Sequence, residues 1–359
     1  MKKVMLHQIM PDQVSGPNIA AERISKSYLR DKYKFEFLTQ STLAGGKINL
    51  KLIMDLKKQI KQFDPDVIHI SGMQSSGFHA VIASRLAGYR NILLTVRGFA
   101  FDDSQVSFIK KIVFKYIIEP LTLKLSRKVY VVSKESENKE MIKKLNKKKY
   151  LGVIHNAAPE IKYSSTEYAN YRQDFRGKLG YNEDDFVVIV VGRIVIDKGI
   201  LDICEAARKS DVENIKFLIV GDGPLKEELQ EEYSTEISNH KLLFFGKTSN
   251  VLSLLCASDV FLFGTYHENL SNALLEAMTV GLPVVVTNVG GNMEVVEENY
   301  NGYFISPNDP DDINAKINSL NENKKLCKYF SENSRNIIEN KFSQKVIYEK
   351  IDRIYKSLM

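Results

Sequence analysis

The chain has 359 residues, 44% hydrophobic and 26% charged, a globular composition long enough for two domains of about 150 residues each. Disordered and fibrous classes are excluded, and no apolar run approaches the ~20 residues that span a bilayer. The formal charge of +6 is unevenly spread: residues 1–163 hold 29 Lys/Arg and 14 Asp/Glu, residues 164–359 hold 21 and 30. A half this basic favours an anionic partner: lipid headgroups, nucleic acid or a pyrophosphate-bearing molecule. Cys204, Cys256 and Cys327 are far apart with no C-x-x-C spacing, so neither a disulfide framework nor a zinc site is expected, and a reducing, cytoplasmic setting is. The opening apolar run is shorter than the roughly 7–15 residues of a secretory segment and reads as a first strand.

In chain order, short β-branched runs alternate with longer helix-period segments, the pattern of α/β domains with parallel sheets. The first half predicts strands at residues 4–9, 35–39, 67–70, 92–96, 128–132 and 151–154; the second predicts them at 186–191, 216–220, 242–245, 260–263, 283–286 and 302–305. Residues 156–185 lack a long apolar period and read as a linker with one short helix near 172–179. Residues 342–358 place Val346, Ile347, Ile351, Ile354 and Tyr355 at helical spacing, an amphipathic closing helix. The expected layout is a domain at 1–163, a second at 164–341, and a tail at 342–359 packing back on the first. Both are expected to be doubly wound and Rossmann-like, with ligands outside the carboxyl ends of the strands.

The loops at those ends carry the informative residues. After the strand at 260–263 come Glu268, Asn269, Leu270 and Ser271, then Glu276, then Gly281 and Pro283, which end a helix, and a Gly290-Gly291 turn before Glu294. Leu270, Leu274, Ala277 and Met278 form a buried stripe that leaves Glu276 aside. Eight residues of helix between Glu268 and Glu276 would span roughly 12 Å at ~1.5 Å per residue, the reach from a sugar across a diphosphate to a ribose. Carboxylates accept hydrogen bonds from vicinal hydroxyls, and the amides of residues 269–272, at a helix start, would face the phosphates. The alternative is that Glu268 caps the helix and Glu276 is solvated. Val191-Gly192-Arg193 after one strand, with Asp197-Lys198-Gly199 opening a helix, sets two cations beside a helix start, an anion site. Gly221-Asp222-Gly223 lacks the third glycine of a dinucleotide fingerprint, since Lys226 stands there, so NAD is not supported. Gly16, in the turn from Val14 to Asn18, would let the backbone approach a diphosphate or sugar; a plain strand-to-helix turn remains open.

Together, Glu-x7-Glu with Ala-Met, Gly-x-Pro-Val-Val-Val-Thr and Gly-Gly-x-x-Glu resembles the signature of the family 4 retaining glycosyltransferases (group 1 type). These have the GT-B fold, two Rossmann-like domains facing across a cleft. Arg193 and Lys198 fall on that family's Gly-Arg-x(4)-Lys-Gly element. The resemblance implies transfer of a sugar from a nucleotide-diphosphate donor, UDP- or GDP-linked, to an acceptor hydroxyl with retained configuration. Glu268 would serve the sugar, Glu276 the ribose, Arg193, Lys198 and the amides of Asn269, Leu270 and Ser271 the diphosphate, and Gly246, Lys247 and Leu252 the nucleobase. No metal or other cofactor is implied. Charge and family habit add a lipid-pyrophosphate-linked acceptor in bacterial capsule, exopolysaccharide or O-antigen assembly, at the inner face of the cytoplasmic membrane, and no nucleic acid. A non-catalytic partner subunit or another nucleotide-sugar-processing relative is the alternative.

The chain departs from that family at two turns. It has Ser15-Gly16 where Gly-Gly is frequent, and Arg97 where a histidine usually contacts the transferred sugar. Arginine cannot act as a general base but can bind a hydroxyl or phosphate; the alternative is a structural Arg97 paired with Asp102 or Asp103. The six histidines are scattered, and His267 alone adjoins a motif. Residues 107–128, interrupted at Pro120, interleave Phe108, Ile109, Ile112, Val113, Tyr116, Ile117 and Leu121 with lysines, and 143–149 add a second basic cluster. The apolar positions either meet a membrane surface of anionic headgroups or pack on the first sheet.

Overall fold

The computed structural model describes residues 1–12, 15–44, 47–102, 106–161 and 165–359. Val14, Asp103 and the expected junction at 163/164 lie outside them. Among the described residues twelve strands form, one at each place the sequence predicts: β1 (Lys2–Ile9), β2 (Tyr33–Gln40), β3 (Val67–Ser71), β4 (Ile92–Val96), β5 (Lys128–Val131), β6 (Tyr150–Val153), β7 (Phe186–Val191), β8 (Ile215–Val220), β9 (Leu242–Gly246), β10 (Val260–Phe263), β11 (Val284–Thr287) and β12 (Gly302–Ile305). The chain divides into two compact units, Met1–Ala157 with Gln344–Met359, and Ala158–Ser343. The first holds a sheet ordered β2-β1-β3-β4-β5-β6, the second a sheet ordered β12-β11-β10-β7-β8-β9, and every pairing is parallel.

The central strands are near-continuous apolar runs because helices cover both faces of a parallel sheet, while the edge strand β2 alternates more and less buried residues. All of β3, β4, β10 and β11 is buried. The core of the first unit gathers Leu56, Ile60, Ile68, Leu94 and Val131; that of the second gathers Ile203, Phe217, Leu262, Ile317 and Phe330. Numbered within its own unit, the second sheet runs 3-2-1-4-5-6, which reverses direction between β7 and β10. At such a switch point the flanking loops part and leave a crevice outside the carboxyl ends. The first sheet reverses between β1 and β3.

Two segments differ from the sequence reading. The linker helix is longer than expected, Ser165–Leu179, because charge rather than an apolar period holds it. Arg172 and Arg176 reach the Asp259 carboxylate at 2.6 and 2.5 Å, and Asp259 also accepts the Val187 amide at 2.8 Å. Pro120 does not end the helix: the chain stays helical from Phe108 to Leu125, and the five residues Phe114–Ile118 just before the proline wind as a π-helix, a widening that relieves the clash between the proline ring and the preceding turn. The closing helix is Gln344–Leu358 and completes the first unit's core with Ile347, Tyr348, Ile351, Ile354 and Tyr355. Its Tyr355 hydroxyl meets His69 Nδ1 at 2.8 Å. All three cysteines are free thiols.

Candidate active site

The loops after β7 and β10 meet at the switch point of the second sheet. Gly199, with φ of 63°, turns the chain from the short turn Ile196–Lys198 into the helix Ile200–Lys209. A Cβ there would lie 1.9 Å from the Gly264 carbonyl oxygen, so only glycine lets the two backbones touch. The Tyr266 amide and the Thr265 hydroxyl both donate to the Asp197 carbonyl, at 2.9 and 3.0 Å. This latch brings Lys198 to Glu268: Nζ stands 2.8 Å from Oε2, with side chains 20% and 18% exposed. Lys198 also lies over the Phe263 ring, 5.1 Å from its centroid. Arg193, on the same β7 loop, is exposed and makes no salt bridge among the described residues.

Glu268 is held from its other side by the Gly-Gly turn. The Gly291 amide donates to the Glu268 carbonyl at 3.0 Å. A Cβ on Gly290 would fall 2.0 Å from that same oxygen, and one on Gly291 1.8 Å from the Asn269 carbonyl oxygen. The Glu268 carboxylate turns back so that Oε1 accepts the Asn269 amide at 3.1 Å.

The following helix is Asn272–Val280, and its N-cap is Ser271, whose hydroxyl accepts the Leu274 amide. The expected first turn at 269–272 is corrected accordingly. Asn269 and Leu270 lie in the loop, and Glu268 does not cap the helix, because the Ser271 side chain takes the amide that a cap must satisfy. The separation computed along a single helix from Glu268 to Glu276 lapses for the same reason, since the helix begins only at Asn272. Glu276 is half-buried within the helix, whose buried residues are Leu274, Leu275, Ala277, Met278 and Val280.

Gly246 closes β9 with φ of 88°, and its carbonyl accepts the Gly221 amide at 3.0 Å. Lys247 beyond it is exposed, and Leu252 is half-buried at the start of the helix Val251–Cys256 while Leu254 and Leu255 are fully buried. These three line the end of β9, next to β8 in the sheet.

In the first unit, Gly16 opens the helix Gly16–Lys26 behind an N-cap at Ser15. The sequence reading missed Asn18. Its buried amide side chain accepts from the Ile9 N–H at 3.0 Å and donates to the Ile9 carbonyl at 2.7 Å, clamping the helix to the end of β1. Arg97, past the end of β4, donates from Nε to Ser71 Oγ and from Nη1 to Asn156 Oδ1, each at 2.6 Å. Asp102 is not its partner, because Lys139 holds that carboxylate at 2.9 Å. The guanidinium is therefore bound by neutral groups, and burial lowers its pKa. Burial also pushes His7 down to about 4 and His69 to about 3. Both are core histidines held neutral near pH 7, and His69 is bracketed by Tyr355 and Thr95 at 2.8 and 2.7 Å.

Two doubly wound six-stranded units, one of them with a lysine–glutamate pair at its switch point, give the chain the α/β GT-B fold. Residues 171–337 match the glycosyl transferases group 1 and residues 19–133 the glycosyl transferase 4-like family. The chain belongs to this glycosyltransferase family, GT4. It is 33% identical over 321 residues to the UDP-Gal:alpha-D-GlcNAc-diphosphoundecaprenol alpha-1,3-galactosyltransferase of Escherichia coli, covering 85% of this chain and 80% of that one. It is 26% identical to the capsular polysaccharide biosynthesis glycosyltransferase CapM of Staphylococcus aureus, covering 87% and 84%. Among solved structures, HepE of Anabaena in complex with UDP and glucose superposes with a TM-score of 0.77 at 19% identity, covering 99% of this chain and 100% of that one.

Proposed function

We propose that this glycosyltransferase moves a sugar, with retention, from a UDP- or GDP-linked donor to the hydroxyl of a lipid-pyrophosphate-linked acceptor in bacterial surface polysaccharide assembly. The observation that carries the reading is the Lys198–Glu268 pair, 2.8 Å apart at the switch point of the second sheet, with the exposed Arg193 on the same loop. A donor supplies partners for all three side chains: the diphosphate takes Lys198 and Arg193, and the sugar hydroxyls take Glu268. Glu276 is assigned to the ribose, Gly246, Lys247 and Leu252 to the nucleobase, and the backbone of Asn269, Leu270 and Ser271 to the diphosphate.

In the reaction the bond from the anomeric carbon to the phosphate oxygen breaks, and the electron pair leaves with the diphosphate. The acceptor oxygen bonds to the same face of that carbon, and its proton passes to the departing phosphate oxygen. Lys198 and Arg193 neutralise the charge that grows on the leaving group, the role a metal ion plays elsewhere. Arg97, held by Ser71 and Asn156, is assigned to a hydroxyl or phosphate of a substrate.

The relatives support the acceptor class, since the Escherichia coli enzyme is named for a diphosphoundecaprenol acceptor and the Staphylococcus aureus one for capsular polysaccharide. No helix among the described residues is long and apolar enough to cross a membrane, so the reading places the protein peripherally on the inner face through its basic first unit. A thermal-shift panel of UDP, GDP and their sugars tests the donor assignment. A nucleotide at 100 times its Kd stabilises the binding unit by about 2.7 kcal/mol. We expect one of the two nucleotides to raise the Tm and Glu276→Ala to lose most of that rise. An undiminished shift in the variant would remove the ribose assignment.

A further inference from the structure

The first unit contains a cavity of about 720 Å³ lined by none of the residues assigned above, a volume within the ~300–1,000 Å³ of ligand sites. Phe99, Leu123, Met141 and Leu145 give it apolar walls. Five lysines and three acids also line it, and the charges do not balance. Lys139 pairs with Asp102 at 2.9 Å and Lys144 with Glu140 at 2.6 Å. Glu119 accepts the Ala100 amide at 2.7 Å, and burial pushes its carboxyl up to about 7. Lys115, Lys124 and Lys149 make no salt bridge among the described residues. The remaining charge is cationic, around an apolar interior.

The cavity continues into an apolar face. Tyr116 lines it and is 68% exposed, on the same helical stretch as Phe108 at 73%, Ile109 at 75% and Ile117 at 57%. That stretch runs as α-helix over Phe108–Val113 and π-helix over Phe114–Ile118, a wider winding that is frequent at functional sites. A water-soluble anion accounts for the lysines but leaves the aromatic and aliphatic face unexplained; an uncharged lipid accounts for the face but not for the lysines. Building on the membrane reading above, we propose that this cavity takes a hydrocarbon chain of an anionic bilayer lipid. Lys115, Lys124 and Lys149 hold the phosphate, and Phe108, Ile109 and Ile117 lie in the interface.

The chain contains no tryptophan, so a single introduced indole reports its own surroundings. Phe108→Trp reads the face; Met141→Trp and, should that variant misfold, Leu145→Trp read the cavity. The full-length variants are mixed with vesicles of phosphatidylcholine and phosphatidylglycerol, with bromine on the acyl chains of the phosphatidylglycerol. The proposal expects both the face and the cavity indoles to lose most of their emission. It also expects a Lys115→Gln, Lys124→Gln, Lys149→Gln variant to bind these vesicles about fivefold more weakly for each lysine removed. Quenching of Phe108→Trp with undiminished emission from Met141→Trp and Leu145→Trp overturns the cavity assignment and leaves the membrane reading standing. Equal binding to pure phosphatidylcholine overturns the role of the lysines. A wild-type chain that fails to sediment with either vesicle overturns the membrane reading and this proposal together.

Discussion

Lys198 and Glu268 are each about one-fifth exposed, so their attraction is screened less than that of a surface pair, yet a polyanionic donor offers Lys198 more charge than one carboxylate does. If Lys198 neutralises the leaving diphosphate, Lys198→Ala should lower kcat by roughly 10²–10³-fold, the cost of removing one preorganised donor to a developing oxyanion. Transfer rates with saturating donor check this, and unchanged turnover would remove the assignment. Both residues were legible from their motifs. Ser271 was read as a site residue but not as the N-cap, and the clamp by Asn18 was not read, because the helix start was expected at Asn269 rather than Asn272 and the clamp joins Asn18 to the end of β1. Arg97 stood out as a departure, but its neutral partners could not be read, since Ser71 and Asn156 lie 26 and 59 positions away.

At the scale of elements, the loops after β7 and β10 work as one unit because their backbones touch. Gly199→Ala would carry a left-handed backbone costing about 1–2 kcal/mol, and its Cβ would press on the Gly264 carbonyl oxygen, 1.9 Å away. We expect this variant to unfold at lower temperature than wild type and to lose the nucleotide-induced shift, as the latch on Asp197 opens. Gly177 is the control: it is helical, exposed, and a Cβ there meets nothing within 4 Å. Gly177→Ala should stabilise by about 0.4–1 kcal/mol and leave the shift intact. Differential scanning measures both. The motif spacing placed Gly199, Gly290 and Gly291 beside the site residues, but which carbonyl each glycine accommodates follows from the parallel pairings of β10, with β7 for Gly199 and with β11 for Gly290 and Gly291, long-range pairings that no local window contains.

At the scale of the molecule, the chain leaves its first unit at Ala157 and returns to it at Gln344. The return is fastened by Asp352, which accepts from Tyr33 at 2.7 Å, Lys32 at 2.9 Å and Lys356 at 2.9 Å. Burial opposes its charge, but the hydrogen bonds from Tyr33, Lys356 and Lys32 outweigh it and hold the carboxyl down at about 2. A folded-state pKa below the unfolded value of about 3.9 contributes stability that is fully present above pH ~4 and is lost as pH falls towards 2. Asp352→Asn should therefore cost about 1–3 kcal/mol at neutral pH, with the gap to wild type closing between about pH 4 and pH 2. Unfolding curves collected across that interval check the sign; a gap that widens on acidification would overturn the account. Helical periodicity marked Ile347, Ile351 and Tyr355 as the tail's apolar face, but an acid on a helix in sequence looks solvated, and its burial here depends on Tyr33 and Lys32 in another part of the chain.

Local pattern was enough to establish twelve strands, the α/β class, the family and the identity of the charged residues at the second sheet's crevice, because apolar period, turn chemistry and motif spacing are properties of neighbouring residues. Two things came instead from distant segments packing together: what the paired glycines accommodate, and whether the apolar positions of residues 107–117 are covered. The last had two open readings in sequence, since an apolar stripe is the same string of residues whether a sheet lies against it or not. In the folded chain Phe108, Ile109, Tyr116 and Ile117 are exposed: the turns that carry them, Phe108–Ile118, bury no residue, and the helix turns inward only beyond them, at Glu119, Thr122 and Leu123.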